Sequence, residues 1–359
     1  MYKIMTPGPT QVAENVRQAR ALECTNPDLD LEFYDFYKET CKLISSLLGT
    51  ENEALILSGE GILGLEAACA SLTEAGDKVL VLDNGLYGEG FKDFVSMYGG
   101  EPVLYTTDYR NTINIEDLEQ FLEKNHDFKY ATVVHCDTPS GMLNDISEIC
   151  PLLKKYGIMT VVDSVSAMFG EYVNVDEFQI DLLCGGSQKA VSAPPGLTFV
   201  VISEEAKKAM HNRRTPIAAF YANLTIFDNY YENKWFPYTM PVSDIYGLRA
   251  ALDNIKNDKD MLKRHRIVAD KVRNALIENG FKLYQETGFS DTVTVFEVPE
   301  GMTADYILEE MKKRYGIMLS GSFGKLAGKV IRIGHMGENA YIEKVDEVLE
   351  GLLKIVNEK

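Results

Sequence analysis

At 359 residues and 45% hydrophobic, the chain exceeds the size at which a single core stops growing, and two domains are expected. Acidic side chains number 54 against 36 basic, a formal charge of −18, which argues against nucleic acid or an anionic membrane as a partner. Any site for an anion must therefore create positive potential locally.

The opening MYKIMTPGPT has no apolar core of signal-peptide length, and no stretch approaches the roughly 18 apolar residues of a membrane span. Strand patterns follow at 54–57, 78–82, 101–105, 131–136, 159–163, 181–184 and 198–202. Helical patterns fall between many of them, around 64–71, 90–98, 115–123 and 146–156. This β-α-β rhythm predicts an α/β fold, a mostly parallel sheet sandwiched by helices. From about Ser243 the character changes. A charged helical stretch over 245–278 breaks near Asn257 and Asp258, and a strand over 292–298 and a helix over 304–315 follow. Strands around 317–319 and 330–333 and a last helix over 340–356 complete the chain. That predicts a smaller C-terminal α+β domain, formed by 246–359 together with 1–14, beside a large domain of 15–245. Cys24, Cys41, Cys69, Cys136, Cys150 and Cys184 are scattered without a CxxC pair and read as reduced thiols of a cytoplasmic protein. The five histidines are dispersed, so no metal centre is expected.

In open α/β sheets, ligands sit beyond the carboxyl ends of the strands. Three strand patterns end there on polar residues. ATVVHCDTPSG delivers Asp137, Thr138 and Ser140; IMTVVDSVSA ends on Asp163; DLLCGGSQKA delivers Ser187, Gln188 and Lys189. If these strands are neighbours, Asp163 and Lys189 converge on one crevice. Lys189 lies between Gly185-Gly186 and Pro194-Pro195-Gly196. That placement suits a desolvated, aimed amine acting as a Schiff-base nucleophile, although an ordinary turn lysine satisfies the segment too. Asp163 follows an apolar run and needs a partner. A pyridinium nitrogen is one; a turn through Ser164 is another. Ser58-Gly59-Glu60-Gly61-Ile62 leaves a strand and opens a helix, presenting backbone N–H groups suited to phosphate. Such turns also use glycine for geometry alone. Tyr87, in the turn at 84–88, could stack on a planar ring or be a plain turn aromatic. Arg332 stands inside an apolar strand and must be paired, with a structural carboxylate or with a substrate carboxylate through a bidentate fork.

Taken together, Pro7-Gly8-Pro9-Thr10, SGEGILGLEAA, the turn at 84–88, DTPSG, VVDSVSAMFGE, GGSQKAVSAPPG, YTMPVSDIYGLRAAL and GKVIRIGHMG stand in one family's order and spacing. Over nearly its whole length the chain resembles the fold-type-I pyridoxal 5′-phosphate (PLP) aminotransferases, in the class-V branch of alanine–glyoxylate and serine–pyruvate aminotransferases. The resemblance implies the PLP transferase fold, PLP as cofactor, and a homodimer with shared active sites. It implies Lys189 as the Schiff-base lysine, Asp163 on the pyridine nitrogen and Tyr87 stacked on the ring. Glu60, Gly61 and Ile62 are implied at the phosphate end, Thr138 at the ring's polar edge and Gln188 beside the phosphate. Thr239 of the partner subunit is implied at the phosphate, and Arg332 at the substrate's α-carboxylate.

The implied reaction moves an amino group from alanine or serine to glyoxylate or pyruvate, with Lys189 as general base and then acid. A 2-aminoethylphosphonate–pyruvate transaminase is the nearest alternative. A lyase of the cysteine desulfurase type is further away, because the loop-like stretch 320–328 carries no cysteine. Three positions depart from the family pattern. Relatives often place Ser-Gly-His or Ser-Gly-Thr where this chain has Glu60-Gly61-Ile62, and a glutamate repels a phosphate unless it turns away or pairs with a cation. Phe236 stands where some relatives use a tyrosine hydroxyl, with Tyr238 close by. The segment 23–30, near the substrate entrance in relatives, is unusually acidic here.

Overall fold

The computed structural model of the protein describes residues 2–358. Seven strands form its central sheet: β1 (Glu53–Ser58), β2 (Lys78–Asp83), β3 (Glu101–Thr106), β4 (Tyr130–Val134), β5 (Met159–Asp163), β6 (Leu182–Gly186) and β7 (Leu197–Ile202). Their spatial order is β1-β7-β6-β5-β4-β2-β3. Every pairing is parallel except the two made by β7, which runs against both its neighbours. All residues of β4, β5, β6 and β7 are buried, the environment that continuous apolar runs demand when helices cover both faces.

The large-domain helices are α1 (Glu14–Arg20), α2 (Leu31–Leu47), α3 (Gly61–Leu72), α4 (Leu86–Met97), α5 (Ile115–Leu122), α6 (Ile146–Lys155) and α7 (Glu204–His211). The periodicity above did not pick out α1, α2 or α7. Polar side chains start several of them: Asp30 accepts from Glu32 N–H, Asn114 from Asp117 N–H and Ser203 from Ala206 N–H. Helix α4 begins four residues earlier than the pattern starting at Gly90 predicts. Gly85 offers it no side-chain cap. The distant Asp137 carboxylate accepts the Tyr87 N–H at 2.8 Å instead, a partner no local pattern reveals.

Beyond these lie α8 (Val242–Asn257) and α9 (Met261–Glu278), separated where the break was expected, then β8 (Val293–Glu297), α10 (Ala304–Tyr315), β9 (Val330–Gly334) and α11 (Ile342–Asn357). Strand β9 pairs antiparallel with β8 on one side and with Ser320–Gly321 on the other. Near the amino terminus, Lys3–Ile4 pairs with Ile317–Met318. The buried apolar side chains form two clusters. One fills the sheet and the helices around it and also takes in Met261, Val293, Val295, Leu326, Val330 and Met336; the other joins Met5 to α9, α10, α11 and one face of β9. The expected boundary at 245/246 falls inside α8, whose buried Ile245, Leu248 and Leu252 belong to the first cluster. After the break between α8 and α9, most of the buried apolar side chains join the second cluster. No helix of the described residues is long and apolar enough to cross a membrane.

Alternation along β9 sets the direction of its arginine. Ile331 and Ile333 face the second cluster, whereas Val330 packs in the first. With a side-chain period of two, Arg332 shares the Val330 face and points toward the large domain.

Candidate active site

The carboxyl ends of β1, β4, β5 and β6 and the turn after β2 meet at a cavity of about 330 Å³. Gly8, Pro9, Glu60, Gly61, Ile62, Leu65, Tyr87, Cys136, Thr138, Asp163, Val165, Ser166, Gln188, Lys189 and Pro195 line it. Strand β5 delivers Asp163 directly, in register with Cys184 of β6. Lys189 comes from the β6–β7 hairpin, and the entry to α3 brings Glu60, Gly61 and Ile62. Gly61 is held so close to Val165 that an added Cβ would stand 2.8 Å from its side chain. Glycine is therefore required there for packing.

Lys189 Nζ donates to the Pro7 carbonyl at 2.6 Å. Burial, reinforced by the Arg332 charge, lowers its amine to about 8. Asp163 is 6% exposed and receives one hydrogen bond, from Val165 N–H at 2.9 Å. Burial pushes its carboxyl up to about 7, against the opposing pull of that N–H and of Lys189. The two groups thus come near to sharing a titration range, which places a nucleophilic amine and a proton-holding carboxyl in one cavity.

Arg332 Nε donates to Gly321 O at 2.7 Å and Nη1 to Thr138 O at 3.4 Å. No carboxylate of the described residues pairs with it, and burial lowers its pKa. A half-buried guanidinium steered by carbonyls, with fork positions left over, has the geometry to receive a carboxylate. Asp137 anchors this side. It is fully buried, takes the Tyr87 N–H, and accepts the Ser140 hydroxyl at 2.6 Å. Tyr87 is thereby held at the cavity wall, edge-on to Phe323 at 5.9 Å.

Of the ten residues singled out in the sequence, eight line the cavity: Glu60, Gly61, Ile62, Tyr87, Thr138, Asp163, Gln188 and Lys189. Arg332 reaches it through the Thr138 carbonyl. Thr239 does not enter the cavity of its own subunit; it is exposed and bonded to Asp28 at 3.5 Å. Phe236 is also away from the cavity, stacked on Tyr34 at 4.5 Å and packed edge-on against Tyr37. The Tyr238 hydroxyl is enclosed beside the Ser58 backbone and lies outside the lining. His135 is a core residue bonded to Ser164 Oγ at 3.0 Å, and His335 is buried against Thr294. Gly8 and Pro9 are wall residues that the reading of the sequence had assigned to the small domain. The PGPT motif was their signal, but it carries no titratable group to hint at a site.

A class-V aminotransferase family model matches residues 7–340. The chain is a class-V aminotransferase. It is 33% identical over 322 residues to the pyridoxamine–pyruvate transaminase of Mesorhizobium japonicum, an alignment covering 87% of this chain and 81% of that one. It is 30% identical to the alanine–glyoxylate aminotransferase of Callithrix jacchus, covering 97% and 86%. The ureidoglycine–glyoxylate aminotransferase of Bacillus subtilis superposes with a TM-score of 0.96 at 27% identity, over 100% of this chain and 93% of that one.

This class-V aminotransferase has pyridoxal 5′-phosphate as the coenzyme its family membership implies. The ring end of the cavity fits that coenzyme. Lys189 supplies an amine, Asp163 a carboxylate with one protein donor, and Ser166 a buried hydroxyl with no partner. The other end is different, because the Glu60 carboxylate caps the amino terminus of α3 by accepting Ile62 N–H at 3.2 Å.

Proposed function

We propose that this transaminase moves an amino group from a small amino acid, alanine or serine, to a 2-oxo acid, glyoxylate or pyruvate. The observation that carries the reading is the Lys189 amine, lowered to about 8 and sharing one cavity with the Asp163 carboxyl, beside an Arg332 guanidinium that bonds the carbonyl of the wall residue Thr138. The coenzyme, when bound, supplies an aldehyde carbon that takes the amino group and a ring that accepts negative charge. In this reading Lys189 is the amine that would hold the coenzyme, and the same amine carries the proton from the substrate's Cα. Asp163 keeps the pyridine nitrogen protonated, and Tyr87 covers one face of the ring. Arg332 would grip the α-carboxylate, which fixes the direction of the Cα–H bond and favours proton loss over decarboxylation. Thr138 orients the ring's polar edge, and Gln188 and the α3 turn lie at its 5 position.

We further propose a cytoplasmic homodimer in which Thr239 of the partner subunit completes each site. Phe220, Tyr221 and Trp235, all exposed, lie in the stretch that precedes Thr239, and exposed aromatics of this size suit a partner. The desulfurase alternative is weak in this chain. Cys136 is the cysteine at the cavity wall, and burial pushes its thiol up to about 12, far from a thiolate nucleophile. Neighbours named as cysteine desulfurases, at 15% identity, share the fold alone. A donor-by-acceptor screen, following new amino acid by chromatography, tests the substrate reading. Turnover of alanine or serine with glyoxylate or pyruvate is expected. Activity confined to 2-aminoethylphosphonate would overturn it.

A further inference from the structure

The Glu60 side chain occupies the place where the reading above puts a ring phosphate. One oxygen accepts Ile62 N–H at 3.2 Å and the other accepts Gln188 Nε2–H at 2.9 Å. Two donors that could serve a phosphate are thus committed to a carboxylate of the chain itself. The charged residues lining the cavity are Glu60, Asp163 and Lys189. The single cation among them is bonded to Pro7 O, and the nearby Arg332 to Gly321 O and Thr138 O. Gln188, only 6% exposed, keeps a buried Oε1 that receives no hydrogen bond. This end of the cavity therefore offers two kinds of acceptor, a carboxylate and an amide oxygen.

A phosphate monoester carries a charge of about −1.5 to −2 near neutrality and only accepts hydrogen bonds. Beside Glu60 it meets like charge, and two donors of this subunit, Ile62 N–H and Gln188 Nε2–H, are already taken. A hydroxymethyl group is uncharged. Its O–H donates to a carboxylate or amide oxygen, while its oxygen accepts from a backbone N–H. We infer that Glu60 reads the substituent at the ring's 5 position, and that the site takes phosphate-free pyridoxamine and pyridoxal as an exchanging substrate pair in preference to their 5′-phosphates. The inference rests on the transaminase reading of the cavity. The exchange balances without another reactant. The C4′–N bond of the amine breaks, a C2–N bond forms on the oxo acid, and C4′ becomes an aldehyde as its two electrons reduce C2. The oxo oxygen leaves as water while another water supplies the aldehyde oxygen.

Glu60 is exposed on its outer side, so rotation away from an incoming phosphate is the competing arrangement. The deciding experiment uses the full-length protein freed of bound ring compounds. Pyridoxal and PLP are titrated by the visible absorbance of the bound aldehyde. Pyridoxamine and pyridoxamine 5′-phosphate are compared as amino donors to pyruvate and glyoxylate. The expected result is binding and kcat/KM favouring the phosphate-free compounds by at least about tenfold. Glu60→Ser retains a helix cap without the charge and is expected to move both preferences toward the phosphates by a similar factor. Circular dichroism confirms that this variant is folded, and Glu60→Gln, which removes charge at constant size, is expected to fall between the two. Stoichiometric retention of PLP by the unaltered protein with no turnover of pyridoxamine overturns the inference and leaves the transaminase reading intact. So does a preference unchanged in Glu60→Ser. Binding of either ring without amino transfer to any oxo acid sinks the transaminase reading instead.

Discussion

Lys189 Nζ donates to the carbonyl of Pro7 at 2.6 Å, across 182 positions of sequence. The contact ties the segment before Pro9 to the amine proposed as the nucleophile. Gly8 lies directly against that side chain: an added Cβ would stand within 2.6 Å of Lys189 Nζ and Cε, and its φ of +112° suits glycine. Gly8→Ala is therefore expected to displace Lys189. The loss in kcat/KM should reach about 10- to 100-fold, the scale of an ångström-size misplacement. The global fold should survive, since both cores lie elsewhere. Steady-state kinetics beside thermal melting will distinguish this from simple destabilisation.

Removing the amine altogether is more severe. Lys189→Ala should abolish covalent capture of a pyridine aldehyde, with loss of its visible band. Turnover should fall by about 10²–10⁴ or more, the range for a general acid–base group. An unchanged band in the variant would refute the assignment.

The pH dependence follows from burial. A neutral amine is the nucleophile, and the Lys189 pKa is lowered to about 8 from an ordinary value near 10.4. The rate of aldehyde capture by the ligand-free protein should rise with pH through about 8 and level off above it. Arg332 is the second cause of that lowering. Arg332→Leu should shift the midpoint upward, a readout independent of substrate binding. Stopped-flow absorbance across pH 6–10 measures both.

Arg332 should also divide the kinetic constants. Losing a charged, bidentate contact worth about 1.5–3 kcal/mol is expected to raise KM for both amino and oxo acids by about 10- to 100-fold. The midpoint shift aside, the spectrum of the bound ring should be unaltered. Arg332→Lys should recover only part of the loss, because a lysine lacks the planar fork.

Asp137 has a structural consequence. Its carboxylate holds Tyr87 N–H and the Ser140 hydroxyl in a buried pocket where an added Cβ at Gly85 would stand 2.4 Å from the carboxyl carbon. Asp137→Ala leaves those donors unmet, which should cost about 1–3 kcal/mol per buried group. Chemical denaturation should show the lower stability, and weakened ring binding should accompany it as Tyr87 loosens.

The sequence by itself determined the β-α-β rhythm, the break between α8 and α9, and eight of the cavity's residues. Apolar runs, glycine turns and strand-end polar residues are local patterns, and local geometry follows from them. The family motifs carried the assignment of Lys189 and Asp163 as a pair. Tertiary structure alone decided what depends on residues distant in sequence. It placed Gly8 against Lys189, Asp137 under α4, and Phe236 in an aromatic core away from the cavity. It also seated the Glu60 carboxylate on the α3 terminus with Gln188 behind it. A sequence names a charge and its neighbours along the chain. Whether that charge faces a ligand, a helix end or open water is fixed only when the fold brings its partners within hydrogen-bond reach.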